Sequence, residues 1–429
     1  MKPLTTFYKF LHWCVRHTFP FAYRRFECEG MERIPENAAV IFAPNHTNGL
    51  MDALALVWLS QKYRQILFVA RADIFRNRMM AKLLRSFRML PIMRIRDGRE
   101  NLSKNDEIMS QCVEALQEGI PFCIMPEGTH RAKRAQLPLV KGIFRIALMA
   151  DERLQGEKDV CIVPVGINLG SFFRYRSSLL LKVGEPINVT EYVKRHSELA
   201  TTEQIMELRS VLTAKLQTLH LTIPDNDNFE AIEECCFLTS QRGDTLNERL
   251  LRSQNLLERI ENAKANEPEK TDALLCEVNT FARLRKRWHI YADALTYQAS
   301  LGKLLAITLL LLLELPYFLF SLLAVSPFLV VSEALVHCQS DDAMYNSIRY
   351  VLSIIFYPLT ILIGAAICFA SLPWWVALVL VVLLLPSYLF FYDYLRLVRL
   401  CYSSWVLKYH SQLSLQLKNI LHKLTLFEK

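Results

Sequence analysis

The 429-residue sequence lacks the cysteine pattern of a disulfide framework or a zinc site. Its eleven cysteines are odd in number, scattered, and never spaced as Cys-x-x-Cys. They read as reduced thiols facing the cytosol, most of them small apolar fillers, and the adjacent pair Cys235-Cys236 reads the same way. No metal site is expected. No Gly-x-Ser-x-Gly elbow occurs, which weighs against a serine thioesterase or lipase. The N-terminus does not read as a cleavable leader: Phe7, Phe10, Leu11, Cys14 and Val15 recur at helical spacing, interrupted by Lys9, His12 and Arg16, with no small-residue cleavage site. The pattern predicts a basic amphipathic helix lying in a membrane interface over residues 1–25, or else a first helix packed on a soluble core. No interleaved basic and aromatic platform is present, so no nucleic acid partner is expected.

Charge is almost absent from two stretches, Leu304 to Val336 and Tyr350 to Tyr392, apart from Glu314 and Glu333 in the first. A membrane span needs about 20 apolar residues, so residues 301–395 read as a transmembrane region of three or four segments, three helices being the simplest count. Pro373-Trp374-Trp375 supplies a turn between two spans. Arg283, Arg285, Lys286 and Arg287 precede the region and Arg396, Arg399 and Lys408 follow it, whereas the stretch from His337 to Asn346 holds Asp341 and Asp342 and no Lys or Arg. The positive-inside rule would put both basic ends in the cytosol. That requires an even number of crossings, so either one segment is re-entrant or the first folds into a hairpin at Pro316 or Pro327. Residues 396–429 read as a basic amphipathic tail. The net charge of +8 gathers in clusters beside apolar segments, which points to membrane lipids and phosphorylated substrates as partners.

Ahead of these segments the chain reads as α/β. Residues 39–44, 66–70, 89–95, 121–125, 160–165 and 179–183 are strand candidates, with helices over 52–61 and 107–118. This alternation predicts a domain over residues 26–195 with a mostly buried sheet flanked by helices, its chemistry on loops beyond strand ends. A helical connector follows over residues 196–300. Ile205, Leu208, Leu212, Leu216 and Leu219 form one stripe, with Thr201 and Gln204 as a possible capping box. Glu248 to Ile260 reads as another helix and Asn262 to Thr271 as a solvated linker or turn.

Two loops carry candidate chemistry. The first holds His46 and Asp52 in Asn45-His46-Thr47-Asn48-Gly49-Leu50-Met51-Asp52. Positions i and i+6 lie about 240° apart on a helix, so the side chains meet only if the backbone turns between them, and Asn48-Gly49 is a turn dipeptide. A carboxylate that fixes a histidine's tautomer and stabilises its imidazolium makes a general base, which acylation of a hydroxyl requires. The second loop, Pro126-Glu127-Gly128-Thr129-His130-Arg131, ends an apolar strand and offers backbone amides and polar groups that can grip a phosphate or glycerol backbone. Taken alone, His46 is an ordinary loop histidine and Glu127 a capping carboxylate.

In order and spacing these blocks resemble those of the PlsC-like glycerolipid O-acyltransferases, over about Phe26 to Val189. Five residues separate His46 from Asp52; most of that family has four, and the longer form Asn-His-x-Asn-x-x-x-Asp resembles the branch of fungal glycerol-phosphate acyltransferases and bacterial relatives. The resemblance implies that His46 is the base, oriented by Asp52. It implies acceptor binding by Asn48, Glu127, Gly128 and Thr129, by Arg94 of the block from Leu90 to Gly98, with Arg96 two residues on along the same side of a strand, and by Lys141 of a Lys-Gly pair. His130 stands where relatives often have Arg or Ser. The block Ile162-Val163-Pro164-Val165-Gly166-Ile167 has a structural role. The implied activity is transfer of a fatty acyl group from acyl-CoA or acyl carrier protein to glycerol 3-phosphate, dihydroxyacetone phosphate or lysophosphatidate, without a cofactor, by an integral membrane protein whose catalytic domain faces the cytoplasm. A catalytically silent lipid-binding protein of the same fold is the rival from another class.

Overall fold

The computed structural model describes residues 5–63, 65–93, 104–241, 243–295, 297, 299–339 and 341–426. The chain forms two units, Met1–His220 with Gln339–Ser347, and Leu221–Cys338 with Ile348–Lys429.

The first unit is built on one mixed sheet. Helix α1 (Thr6–Thr18) starts at Thr5, whose hydroxyl accepts the Tyr8 amide. It packs on the unit through Tyr8, His12, Cys14 and Val15 while Phe7, Phe10 and Trp13 stay exposed. There follow β1 (Arg25–Glu29), β2 (Ala38–Pro44), α2 (Leu50–Leu59), β3 (Leu67–Arg71), α3 (Arg78–Ser86), β4 (Met89–Ile92), α4 (Lys104–Gln117), β5 (Phe122–Ile124), α5 (Gly142–Leu154), β6 (Asp159–Leu169), β7 (Ser178–Val183), β8 (Ile187–Asn188), α6 (Val189–Arg195) and α7 (Thr201–Leu219). The strand order is β1-β7-β6-β2-β5-β3-β4, with β8 also paired to β6. From β6 through β4 the pairs are parallel, whereas β7 and β8 run antiparallel to β6. Parallel sheets are covered on both faces, which is why Ala39-Val40-Ile41-Phe42-Ala43 is an unbroken apolar run and wholly buried. Ile41, Phe122 and Ile162 form a core with Leu116 of α4, Phe144 of α5 and Leu212 of α7.

The register places the site. Ile41 pairs with Phe122 and Phe42 with Cys123 in parallel, so the loops after β2 and β5 leave the sheet at the same edge. Ligand loops of open α/β sheets gather at such carboxyl ends.

The expected stripe of α7 is buried at Ile205, Leu208, Leu212, Leu216 and Leu219. Its cap differs from the expectation by one residue. Ala200 is the N-cap and its amide donates to Glu203, whereas the Gln204 side chain donates to His196 O.

The second unit is helical: α8 (Phe229–Leu238), α9 (Leu246–Asn266), α10 (Pro268–Arg287), α11 (Leu301–His337), α12 (Tyr345–Ser371), α13 (Trp374–Tyr409) and α14 (Ser411–Leu426), the first residues of α12 lying in the first unit. The expected linker at 262–271 is instead the close junction of α9 and α10. Pro268 begins the new helix, where a missing N–H costs nothing, and the charges read as loop-like are a solvated helix face. Arg285 of α10 grips Glu234 of α8 through both carboxylate oxygens and donates to Ile290 O.

Three helices, Leu301–His337, Asp342–Ser371 and Trp374–Tyr409, are long and apolar enough to cross a membrane, with mean hydropathies of 2.1, 2.3 and 2.3. Of the two alternatives, a re-entrant segment or a hairpin at Pro316 or Pro327, the hairpin does not form, since α11 runs through both prolines. Pro327 cannot donate to Leu323 O, and the Ser326 hydroxyl takes that carbonyl instead at 2.8 Å; such side-chain repair lets proline stand inside a lipid-facing helix. Arg396 and Arg399, read as following the last span, lie inside α13.

Candidate active site

The loop between β2 and α2 is pinned at every amide from residue 45 to 48. Asn45 N–H donates to Val165 O at 3.3 Å. The Asn45 side chain then extends this strand-like pairing, accepting from Ile167 N at 2.6 Å and donating to Ile167 O at 3.2 Å. His46 N–H donates to Glu127 Oε1 at 3.1 Å. The amides of Thr47 and Asn48 both donate to Asp52 Oδ2, at 2.8 and 2.7 Å. Gly49 makes the turn with φ +53°, a region in which side chains are strained, and α2 starts directly after it. His46 is therefore not on the helix, and the angular objection to an i, i+6 pair disappears.

His46 Nδ1 lies 2.9 Å from the same Asp52 oxygen. Asp52 is 1% exposed and sits in the first turn of α2, where the helix dipole favours negative charge. A carboxylate that already accepts two backbone N–H groups is the acceptor for the third contact too. Nδ1 thus carries the proton and Nε2 keeps the lone pair, the form a general base needs.

Glu127 is buried, and its two oxygens accept from His46 N and from Leu137 N at 3.1 and 3.2 Å. Burial pushes its carboxyl up to about 7, against the lowering effect of those two amides and of His46. In this geometry Glu127 clamps the backbone of His46. Gly128 has φ +68°, and its amide closes the turn on Met125 O. Thr129 is half-buried beside it. Arg131 N–H donates back to His46 O at 3.4 Å, joining the two loops again.

His46, Asn48, Asp52, Glu127, Gly128 and Thr129 thus come together at one sheet edge. Asn48 is wholly buried, and neither side-chain amide atom has a hydrogen-bond partner among the described residues. Lys141 is exposed at the start of α5 and takes no part in this hydrogen-bonded cluster. Arg94 and Arg96 lie outside the described residues. Sequence reasoning overlooked Asn45, although its place at the end of a buried strand was a usable signal. It also overlooked Asp341, whose carboxylate Oδ2 lies 2.6 Å from His130 Nε2; a separation of 211 positions leaves no local pattern to read.

A family model described as Acyltransferase matches residues 25–168. Among curated proteins, an uncharacterized acyltransferase of Schizosaccharomyces pombe is 28% identical over 123 residues, which is 28% of this chain and 18% of that one. A 1-acyl-sn-glycerol-3-phosphate acyltransferase of Bacillus subtilis is 22% identical over 188 residues, 44% of this chain and 84% of the relative. The chain thus spans under a fifth of the yeast protein and most of the bacterial one. Among solved structures, the 1-acyl-sn-glycerophosphate acyltransferase PlsC of Thermotoga maritima is 19% identical with a TM-score of 0.34, covering 49% of this chain and 77% of the other. The residues matched by the Acyltransferase family model are those that build the parallel strands and both site loops.

Proposed function

We propose that the chain transfers a fatty acyl group from acyl-CoA or acyl carrier protein to a hydroxyl of glycerol 3-phosphate or 1-acylglycerol 3-phosphate. The observation that carries this reading is the His46 Nδ1–Asp52 contact of 2.9 Å on an oxygen already held by two backbone amides. His46 Nε2 takes the acceptor's hydroxyl proton as the oxygen attacks the thioester carbonyl, and Asp52 stabilises the imidazolium. The tetrahedral oxyanion then collapses, the carbon–sulfur bond breaks, and the leaving thiolate takes the proton from His46. Direct transfer of this kind needs no acyl-enzyme.

An anionic acceptor suits the site. Arg131, Lys133 and Arg134 follow His130 in one short run, Lys141 opens α5, and Arg94 and Arg96 remain assigned to the acceptor phosphate. The three long apolar helices would hold the chain in the membrane that supplies its lipid substrate, with the catalytic unit in the cytoplasm.

The test uses full-length protein in detergent with labelled palmitoyl-CoA, glycerol 3-phosphate and 1-acylglycerol 3-phosphate being offered separately. A new labelled ester that His46→Ala abolishes supports the proposal. Free fatty acid alone indicates a hydrolase. No product, with an acyl carrier protein donor also tried, moves the reading to a silent lipid-binding protein.

A further inference from the structure

Beside the His46–Asp52 pair lies a second histidine–carboxylate pair that the proposed proton transfer does not use. The rings of His130 and His46 are 5.0 Å apart and steeply inclined at 74°. His130 is held by Asp341, Nε2 to Oδ2 at 2.6 Å, and the other Asp341 oxygen accepts the Ala343 amide at 3.1 Å. Both carboxylate oxygens are therefore committed, one to the fold of its own segment and one to the imidazole.

That segment is built into the first unit. The chain leaves the unit after His220 and returns to it for Gln339–Ser347. There Ala343, Asn346 and Ser347 are buried, and the Asn346 amide donates to Phe172 O at 2.6 Å. A Cβ on Gly49 would lie 2.5 Å from Met344 Sδ and 3.3 Å from Ala343 O, so the segment packs directly on the turn that starts α2. The Asp341 side chain is accordingly presented by a fixed backbone.

We propose that Asp341 is a positioning residue of the acyl-transfer site. It holds His130 so that the remaining ring N–H points at the phosphate of the acceptor while the hydroxyl of that acceptor sits on His46. This rests on the functional reading above. Set between a carboxylate at 2.6 Å on Nε2 and an acceptor phosphate on Nδ1, the ring donates to an anion on each side. What the pair offers an anion is a directed N–H. Glycerol phosphates separate the reacting hydroxyl from the phosphate by only a short carbon bridge, which suits two imidazoles standing 5.0 Å apart. The cationic run Arg131, Lys133 and Arg134 continues the same loop.

The test compares Asp341→Asn with Asp342→Asn, which removes the same charge from the exposed neighbouring position. Steady-state constants are measured on the full chain in detergent with palmitoyl-CoA and whichever glycerol phosphate the wild type acylates. Asp341→Asn is expected to raise the acceptor KM about tenfold, the scale of one charge-assisted hydrogen bond, with the thioester KM within twofold. Asp342→Asn leaves every constant within twofold. The double variant His130→Ala with Asp341→Asn is no worse than His130→Ala alone, because Asp341 acts through His130. An Asp341→Asn protein that matches Asp342→Asn, or one whose defect multiplies with that of His130→Ala, overturns the assignment. A second arm needs no turnover: carbethoxylation of His130 by diethyl pyrocarbonate, read by peptide mass spectrometry, rises severalfold in Asp341→Ala and not in Asp342→Asn. Unchanged labelling overturns the pairing. A wild-type chain that acylates neither acceptor overturns the functional reading, and with it the phosphate role, while leaving the labelling result to decide the pair.

Discussion

Replacing Asp52 by Asn isolates the charge of the carboxylate from its work as a hydrogen-bond acceptor. One oxygen, Oδ2, accepts from Thr47 N, Asn48 N and His46 Nδ1, while Oδ1 is buried with no partner among the described residues. An asparagine can set its carboxamide oxygen where Oδ2 was and its amino group in the unoccupied direction. All three donors stay satisfied, and the tautomer of His46 is unchanged. What is lost is the attraction between a carboxylate and the imidazolium formed in the reaction. At a charge separation of about 4 Å and an effective dielectric of about 20, that attraction is about 4 kcal/mol. Some is recovered by the amide dipole, so kcat is expected to fall by about two to three decades with little change in melting temperature. Asp52→Ala instead orphans two buried backbone amides, at about 1–3 kcal/mol each, and lowers both activity and melting temperature. Steady-state kinetics and thermal unfolding of the two variants, in the same detergent, separate the roles. If Asp52→Asn keeps kcat within tenfold of wild type, the carboxylate is loop scaffolding and the electrostatic argument fails.

Three further outcomes follow from neighbouring contacts. Because burial raises the Glu127 carboxyl to about 7 from an ordinary 4.5, its favourable contribution is complete below the unfolded value and is lost as pH rises through about 7; the shift corresponds to about 3 kcal/mol. Glu127→Gln removes that slope, so the variant gains stability relative to wild type between pH 5 and pH 8 in denaturant melts, and an equal difference at both pH values contradicts the reasoning. The same variant orphans one of the two amides held by Glu127 and should lose about ten- to hundredfold in turnover. In the β6 block, a Cβ on Gly166 would stand 2.2 Å from Leu219 O, a backbone atom that cannot swing away; Gly166→Ala should destabilise the first unit by over about 3 kcal/mol, and a melt within 1 °C of wild type would show that α7 can move. In the second unit, Glu234→Ala leaves Arg285 buried and unpaired, at about 3–5 kcal/mol, whereas Glu234→Leu with Arg285→Met is near neutral; denaturant melts of both should therefore differ widely.

Much of the first unit was legible because its signals are local. The buried run at 39–43, the alternation of strand and helix, and the stripe from Ile205 to Leu219 each follow from one-dimensional periodicity, and each element formed close to its expected bounds. β1 was illegible, since Arg25-Phe26-Glu27-Cys28-Glu29 is half-buried throughout and has no continuous apolar run. The site was legible as two loops but not as one network. Nothing in the spacing says that Glu127 is consumed by the His46 and Leu137 amides. Nor does it say that Asn45 substitutes for a strand residue against Ile167. Pro316 and Pro327 misled for a physical reason: proline ends helices in water, where a freed carbonyl can be solvated, yet a neighbouring Ser326 keeps α11 unbroken at the second of them.

The loop's amides account for how His46 and Asp52 meet across five intervening residues. What the chemistry requires is an Nδ1–Oδ2 contact, and sequence separation does not set it. Asp52 sits in the first turn of α2 and reaches back over the helix start to the amides of residues 47 and 48, as a capping carboxylate does. Its oxygen is placed by those two bonds. His46 is placed independently, by Glu127 on its amide, by the Arg131 amide on its carbonyl, and by Asn45 locked to β6 one residue earlier. Between these anchors Gly49, with a φ of +53°, turns the chain into the helix. Two rigid frames, the end of a buried strand and the start of a helix, therefore bring His46 and Asp52 together before any substrate arrives. Such preorganisation spares the reacting groups from being ordered at the moment of proton transfer.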